Sequence, residues 1–500
     1  MQANKTSRYY PSVLSTVTFI GAFIVAQPSM GADITSFTPG DLVISTVSSY
    51  NGGGLDTAAP IVLQQFQLNA AGTSATANGT LTLPQTSSGN NSAISGEYGS
   101  ASEGILQLSV DGHYLTMMGY GVNATAFNTA PLSTYGNAAL GQTTSLTGQS
   151  VTTVSRVVAL IGADAGVDTS TALTGVFNMN NPRSVATVDG SSFYVSGQAS
   201  TKTDPTQGVF YATRGATTAT AVDNSTDTRV VSIINNGSGN TLYVSRDVNP
   251  SGSGGQNLTN VSTLTQSGGG LPTSSAGVTD THITPPASPN SLGGNNGSIN
   301  VTTATENGVN NTRLGKFVYL SPEQYFFASP SVMYVADSGQ PKNGNANAAA
   351  LGEGGLQKWV NSKADGTGTW SLSYDLVAGL NLVNNNNINI AGNTTTTAGV
   401  TGLLGLTGKV VNGQVELFAT SYGLNELSAS YLYEITDNLS YTSILQASAE
   451  SFTTLVAAPA GESIRGVSFA PVPEPATLAL VAIALSGLGA IRRRDLKLRG

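Results

Sequence analysis

The chain of 500 residues carries a net charge of −8, with 10% charged residues, 59 glycines, two histidines and no cysteine. An average soluble domain is about a quarter charged, so this chain is poor in ions. The missing thiols exclude a disulfide framework, a thiolate zinc site, an iron–sulfur cluster and a cysteine nucleophile. A hydrophobic share of 39% with recurrent apolar runs excludes an acidic disordered chain.

In chain order, residues 1–31 are predicted to be a secretory signal peptide. Lys5 and Arg8 give a positive start, and residues 13–26 form an apolar core too short to span a bilayer comfortably. Small residues at Ser29, Gly31 and Ala32 predict cleavage near Ala26 or Gly31, which makes the Sec machinery the first partner.

The body, 32–470, has almost no helical period. Short alternating or β-branched runs recur between Gly, Asn, Asp and Ser, as at 41–47, 61–68, 104–110, 229–234, 241–245, 331–336, 414–420, 431–435 and 463–469. The chain is predicted to be all-β. Five segments share one local pattern, a Gly- or Asn-bearing turn followed by an apolar strand: 110–116, 189–196, 239–245, 331–339 and 412–420. Such a hairpin repeated around one body, with about 26 strands at four per blade, predicts a β-propeller of six or seven blades. Residues 463–470 read as an innermost strand able to pair with 41–47 and close the ring. A β-sandwich array or a β-helix is the competing architecture, and the missing short-period repeat counts against the latter. Residues 250–311, rich in Gly, Ser, Asn and Thr, are expected to be a low-complexity loop or insertion.

Chemistry-bearing constellations are few. His113 lies in a strand pattern and His282 in the expected insertion, and no Gly-x-Ser-x-Gly elbow accompanies them. Glu97, Glu103, Glu323 and Glu353 sit in loops or at strand starts, where two carboxyls at a set separation would suit a glycoside hydrolase or lyase. Asp164 with Asp168, and Asp223 with Asp227, place carboxylates four apart on turns, which makes Ca2+ the one candidate ion, although both pairs are also ordinary turn formers. Trp359 and Trp370 flank a polar loop and either stack on sugars or pack as one hairpin between blades. No catalytic residue, metal site or cofactor is assigned. The exported body is more acidic than the whole chain and offers no electrostatic case for nucleic acid.

The last thirty residues, 471–500, carry the sharpest signal. Pro471, Pro473 and Pro475 exclude helix or central strand there. Residues 476–491 hold no charge, predicting a short transmembrane helix, and Arg492, Arg493 and Arg494 open a basic tail, 492–500, that stays cytoplasmic. Val472-Pro473-Glu474-Pro475, the apolar segment and the basic cluster together resemble the PEP-CTERM sorting signal of Gram-negative bacteria. That resemblance implies an inner-membrane precursor, processing by an exosortase, and delivery to the cell envelope, surface or extracellular matrix. The body is similar to β-propeller ectodomains attached to such tails, on 102–104, 109–116, 167–173 and 181–184. The expected function is a non-enzymatic structural or interaction module of the envelope or biofilm matrix, with exopolysaccharide as a candidate partner. The alternative is a carbohydrate-active enzyme using the loop carboxylates.

Overall fold

The computed structural model describes residues 32–474, apart from 101, 202, 236, 238, 248–258, 285–297, 301–304, 307–308, 311–316, 320, 340–353, 381, 383–398, 424–427 and 460. The predicted signal peptide and transmembrane segment, with Pro475 and Arg492–Arg494, lie outside the described residues.

The chain opens with β1 (Leu42–Ser48), β2 (Ala58–Leu68), β3 (Ala75–Thr82), β4 (Ser95–Glu97), β5 (Gln107–Leu108) and β6 (Tyr114–Tyr120). Two short helices follow, α1 (Ala124–Thr129) and α2 (Leu132–Tyr135), then β7 (Arg156–Gly162) and β8 (Val167–Leu173). These strands and the last one, β29 (Glu462–Phe469), make a nine-stranded sheet in which β29-β1-β2-β3 and β5-β6-β7-β8 are joined through β4. Four four-stranded sheets come between. The first is β9 (Pro182–Ala186), β10 (Ser192–Gly197), β11 (Gly208–Thr213) and β12 (Thr220–Asp223). The second is β13 (Val231–Asn235), β14 (Asn240–Asp247), β15 (Thr259–Gln266) and β16 (Val278–Thr284). After the short β17 (Ser298–Asn300), β18 (Thr305–Glu306), β19 (Val309–Asn310) and β20 (Phe317–Tyr319) comes the third, β21 (Pro322–Ser329), β22 (Val332–Asp337), β23 (Gly355–Asn361) and β24 (Trp370–Leu376). The fourth is β25 (Val400–Val411), β26 (Gln414–Gly423), β27 (Tyr431–Asn438) and β28 (Thr453–Ala457). All of these pairings are antiparallel, each sheet packs on the next in chain order, and the arrangement is propeller-like.

The five repeated segments fall at one structural place. Each supplies the turn between the first and second strands of a four-stranded run, and then the second strand itself. That strand lies between neighbouring sheets, so β6, β10 and β22 are buried along nearly their whole length. In β25–β26 the loop is two residues, and Asn412 and Gly413 both take positive φ (53° and 80°), the turn whose twist matches its flanking strands. The run β29-β1-β2-β3 has no such turn, because β29 and β1 come from opposite ends of the chain. They pair from Leu42↔Phe469 to Ser48↔Glu462, as the sequence pattern predicts.

Two local expectations change. Residues 250–311 are not wholly loop or insertion: β15 and β16 lie within them and complete a sheet beside β14. Val261 and Leu264 are the only large apolar side chains of β15, too few for a strand pattern; both are buried. In 104–110 only Gln107–Leu108 pairs as a strand. Gly104 takes a positive φ of 84°, which breaks the ladder on that side.

Candidate functional site

First strands of the sheets meet at a common centre, stitched by two glutamines. Gln107 on β5 donates to the carbonyls of Val185 on β9 and Val231 on β13, at 2.8 and 2.7 Å. Gln324 on β21 donates to the Leu106 carbonyl at 3.2 Å and accepts from the Leu406 amide at 2.8 Å. Over this centre opens a cavity of about 470 Å³ whose wall includes Asp56, Glu97, Asn181, Arg183, Gln198 and Arg229. Asp56 and Gln198 come from loops between second and third strands, Asn181 and Arg229 from loops that enter first strands, Arg183 from the start of the first strand β9, and Glu97 from the end of β4. The cavity therefore belongs to one face of the molecule.

The wall is built from buried charge. Arg465 on β29 pairs with Glu103 at 3.0 Å and donates to the Glu97 carbonyl at 2.7 Å, while the Glu97 amide donates to Glu103 at 2.7 Å. Arg183 on β9 pairs with Asp227 and donates to Gln198 at 2.6 Å. Arg229 faces Glu323 on β21 at 3.8 Å. Behind them Arg156 is fully buried: it donates to the carbonyls of Val154, Thr143, Phe177 and Asn180 at 2.9–3.1 Å, and its guanidinium lies 4.8 Å over the Tyr120 ring. One guanidinium thus pins two of the loops that form the wall.

Burial, with the Glu103 and Asp56 carboxyls beside it, pushes Glu97 up to about 9, so it is protonated at neutral pH. Burial also raises Glu103, opposed by the attraction of Arg465. That arginine pairs with the Glu103 carboxylate and reaches Glu97 only at its backbone carbonyl. Glu97 reaches the cavity, whereas Glu103 is buried behind the wall.

Of the four sequence-predicted glutamates, then, Glu97 and Glu103 are brought together, Glu323 sits against Arg229, and Glu353 lies outside the described residues. The turn aspartates are engaged locally. Asp164 accepts from the Gly166 amide at 3.0 Å, and Asp168 accepts from the Ser170 amide at 2.8 Å and pairs with Arg214 at 2.6 Å. Asp223 pairs with Arg246, and Asp227 with Arg183. Trp359 and Trp370 form one buried hairpin; the Trp359 indole donates to Gln357 at 2.9 Å, and Trp370 meets Phe327 edge-on at 5.9 Å. Of the two readings of these rings, interior packing is the one observed. His282 lies on β16, 3.5 Å from Asp280. His113 sits in the β5–β6 turn against Val472. Sequence reasoning missed the buried arginines: Arg183 in the wall, and Arg156 and Arg465 supporting it from behind. Their legible signal is a lone cation in or at the start of a strand that also carries Val or Ile.

Val472, Pro473 and Glu474 continue from β29 as an extended segment on the opposite face, where the first-to-second-strand turns lie. Among the described residues no helix is long and apolar enough to cross a membrane, and the segment predicted to do so is outside them. The PEP-CTERM protein-sorting motif matches residues 471–494. No curated protein matches the chain.

Proposed function

We propose that this chain, carrying at 471–494 the motif that directs export and surface or extracellular sorting through an exosortase, is a six-bladed, non-enzymatic binding module of the envelope or extracellular matrix. The count of six follows from dividing the nine-stranded sheet at β4, which leaves two four-stranded runs beside the four separate sheets. Its ligand site is the polar cavity, and its ligand class is a polyhydroxylated polymer such as exopolysaccharide, which the amides, hydroxyls and guanidiniums of the wall suit.

The observation that carries the non-enzymatic reading is the use made of the carboxyls. Glycoside cleavage needs two carboxyls about 5–9.5 Å apart on either side of one bond. Here Glu103 is committed to Arg465, and Glu97 shares hydrogen bonding with Asp56. A protonated Glu97 in a cavity is the one feature that favours the alternative, in which it would act as a general acid.

One experiment separates the two. The purified protein is mixed with the host's exopolysaccharide and both are followed by size-exclusion chromatography. Co-elution with polymer of unchanged length is expected. Shortened polymer establishes the enzyme instead, and separate elution removes the polymer as ligand. For sorting, replacing Pro473, Glu474 and Pro475 by alanine leaves uncleaved, membrane-bound precursor, read by immunoblot; normal processing overturns the exosortase assignment.

A further inference from the structure

The start of the sorting motif is not simply the end of the body. After Ala470, whose amide donates to the Asp41 carbonyl at 2.8 Å, the chain meets the β5–β6 turn. The Val472 amide donates to the Gly112 carbonyl at 2.9 Å, and the Val472 carbonyl lies 2.9 Å from His113 Nδ1, which donates to it. Tyr114 donates through its hydroxyl to Glu474 at 3.3 Å. These contacts border a second cavity of about 370 Å³, completed by Ser36 and by Gly162–Asp164 of the β7–β8 turn. Burial and the Glu474 carboxylate together raise the Tyr114 hydroxyl. The turn is itself prepared: Ser109 and Asp111 accept from the His113 amide, and Gly112 holds a φ of 80°.

We propose that the Ser109–Tyr114 turn, with Asp164 beside it, is an intramolecular seat for Val472–Glu474 that fixes where the sorting tail leaves the body: from the face opposite the polar cavity. The two faces are separated by the strand length, roughly 20 Å for six or seven residues. A body still joined to its tail then presents the cavity away from whatever holds the tail. The hydrogen bonds are the restraint: three of them, two through the Val472 backbone and one through Glu474, hold the segment in one direction. The seat stands independently of exosortase and of the ligand.

The test uses the full chain in detergent and needs only introduced cysteines, since the native chain has none. One spin label goes at Ala476→Cys. The second goes either at Ser191→Cys, in the β9–β10 turn beside the seat, or at Thr201→Cys, beside the cavity. Pulsed dipolar spectroscopy is expected to give a narrow, short distance to position 191 and a narrow distance longer by about 20 Å to position 201. Adding Glu474→Ala and His113→Ala is expected to broaden both at least twofold. Glu474→Ala alone changes only the tail, so it reports on the seat even if a turn variant misfolds. Broad, similar distributions in the unmodified background, or distributions unmoved by Glu474→Ala, overturn the seat.

Discussion

A carboxyl kept neutral among carboxyls is a stability term with a sign. Glu97 binds a proton in the folded protein up to about pH 9, whereas an unfolded glutamate releases it near pH 4.3. Between those values the folded state holds the extra proton, so stability is greatest at the acid end and falls as pH rises, by about 1.4 kcal/mol per unit for one full proton. Glu97→Gln keeps the shape and removes the titration. Its melting temperature is expected to exceed that of the wild type at pH 8, with the gap closing toward pH 5; an equal gap at both values, by calorimetry, removes Glu97 as the source. Glu103 is not replaced so lightly, because truncating it leaves Arg465 buried without its carboxylate, a loss of about 3–5 kcal/mol. The sequence made Glu97 and Glu103 visible as acids before a strand. It did not make the Glu103–Arg465 pair visible, since Arg465 comes from 362 residues away.

Strand identity was legible wherever turn chemistry and apolar patterning agreed. The five turn-plus-strand segments became five second strands because a second strand is covered on both sides and so carries a run of Val, Leu, Phe, Tyr or Met at its centre. Outer strands face solvent and lose that signature. Hence β16, exposed from Thr279 to Thr281, reads as low complexity while still completing a ladder; β15 does so for another reason, since its buried positions include the polar Asn260 and Ser262, which hydrogen-bond to each other at 2.7 Å. Gly466, in the middle of β29, shows a different constraint. A Cβ there would lie 2.3 Å from the Leu106 amide nitrogen and 2.5 Å from the Gly104 carbonyl oxygen, both backbone atoms that cannot swing aside. Gly466→Ala is therefore expected to cost about 1–3 kcal/mol by forcing β29 off the segment entering β5. Urea unfolding checks this, and an unchanged midpoint shows that the approach relaxes freely.

At the scale of the whole molecule, the sheet system closes through β1 and β29. Ile464 and Val467 are buried against Leu42, Ile44 and Phe418, which contributes about 3–6 kcal/mol by area alone. That is a large share of the roughly 5–15 kcal/mol available to a folded domain. A chain ending at Gly461 lacks this strand and is expected to lose its single cooperative unfolding transition in calorimetry; an intact transition shows that the remaining sheets close without it. The pairing of 41–47 with 463–469 was readable because both segments are apolar and sit at the margins of the body. The cavity was not, because its wall is assembled from loops that share no sequence feature.

The position of β29 also sets an order in time. β29 ends at Phe469 and the sorting motif begins at residue 471. A chain threaded across a membrane in sequence order leaves the edge of β1 bare until residues 462–469 have arrived. The motif consequently follows the closing strand across as a mark of completion, and a cut anywhere beyond it parts the tail from a body already shut.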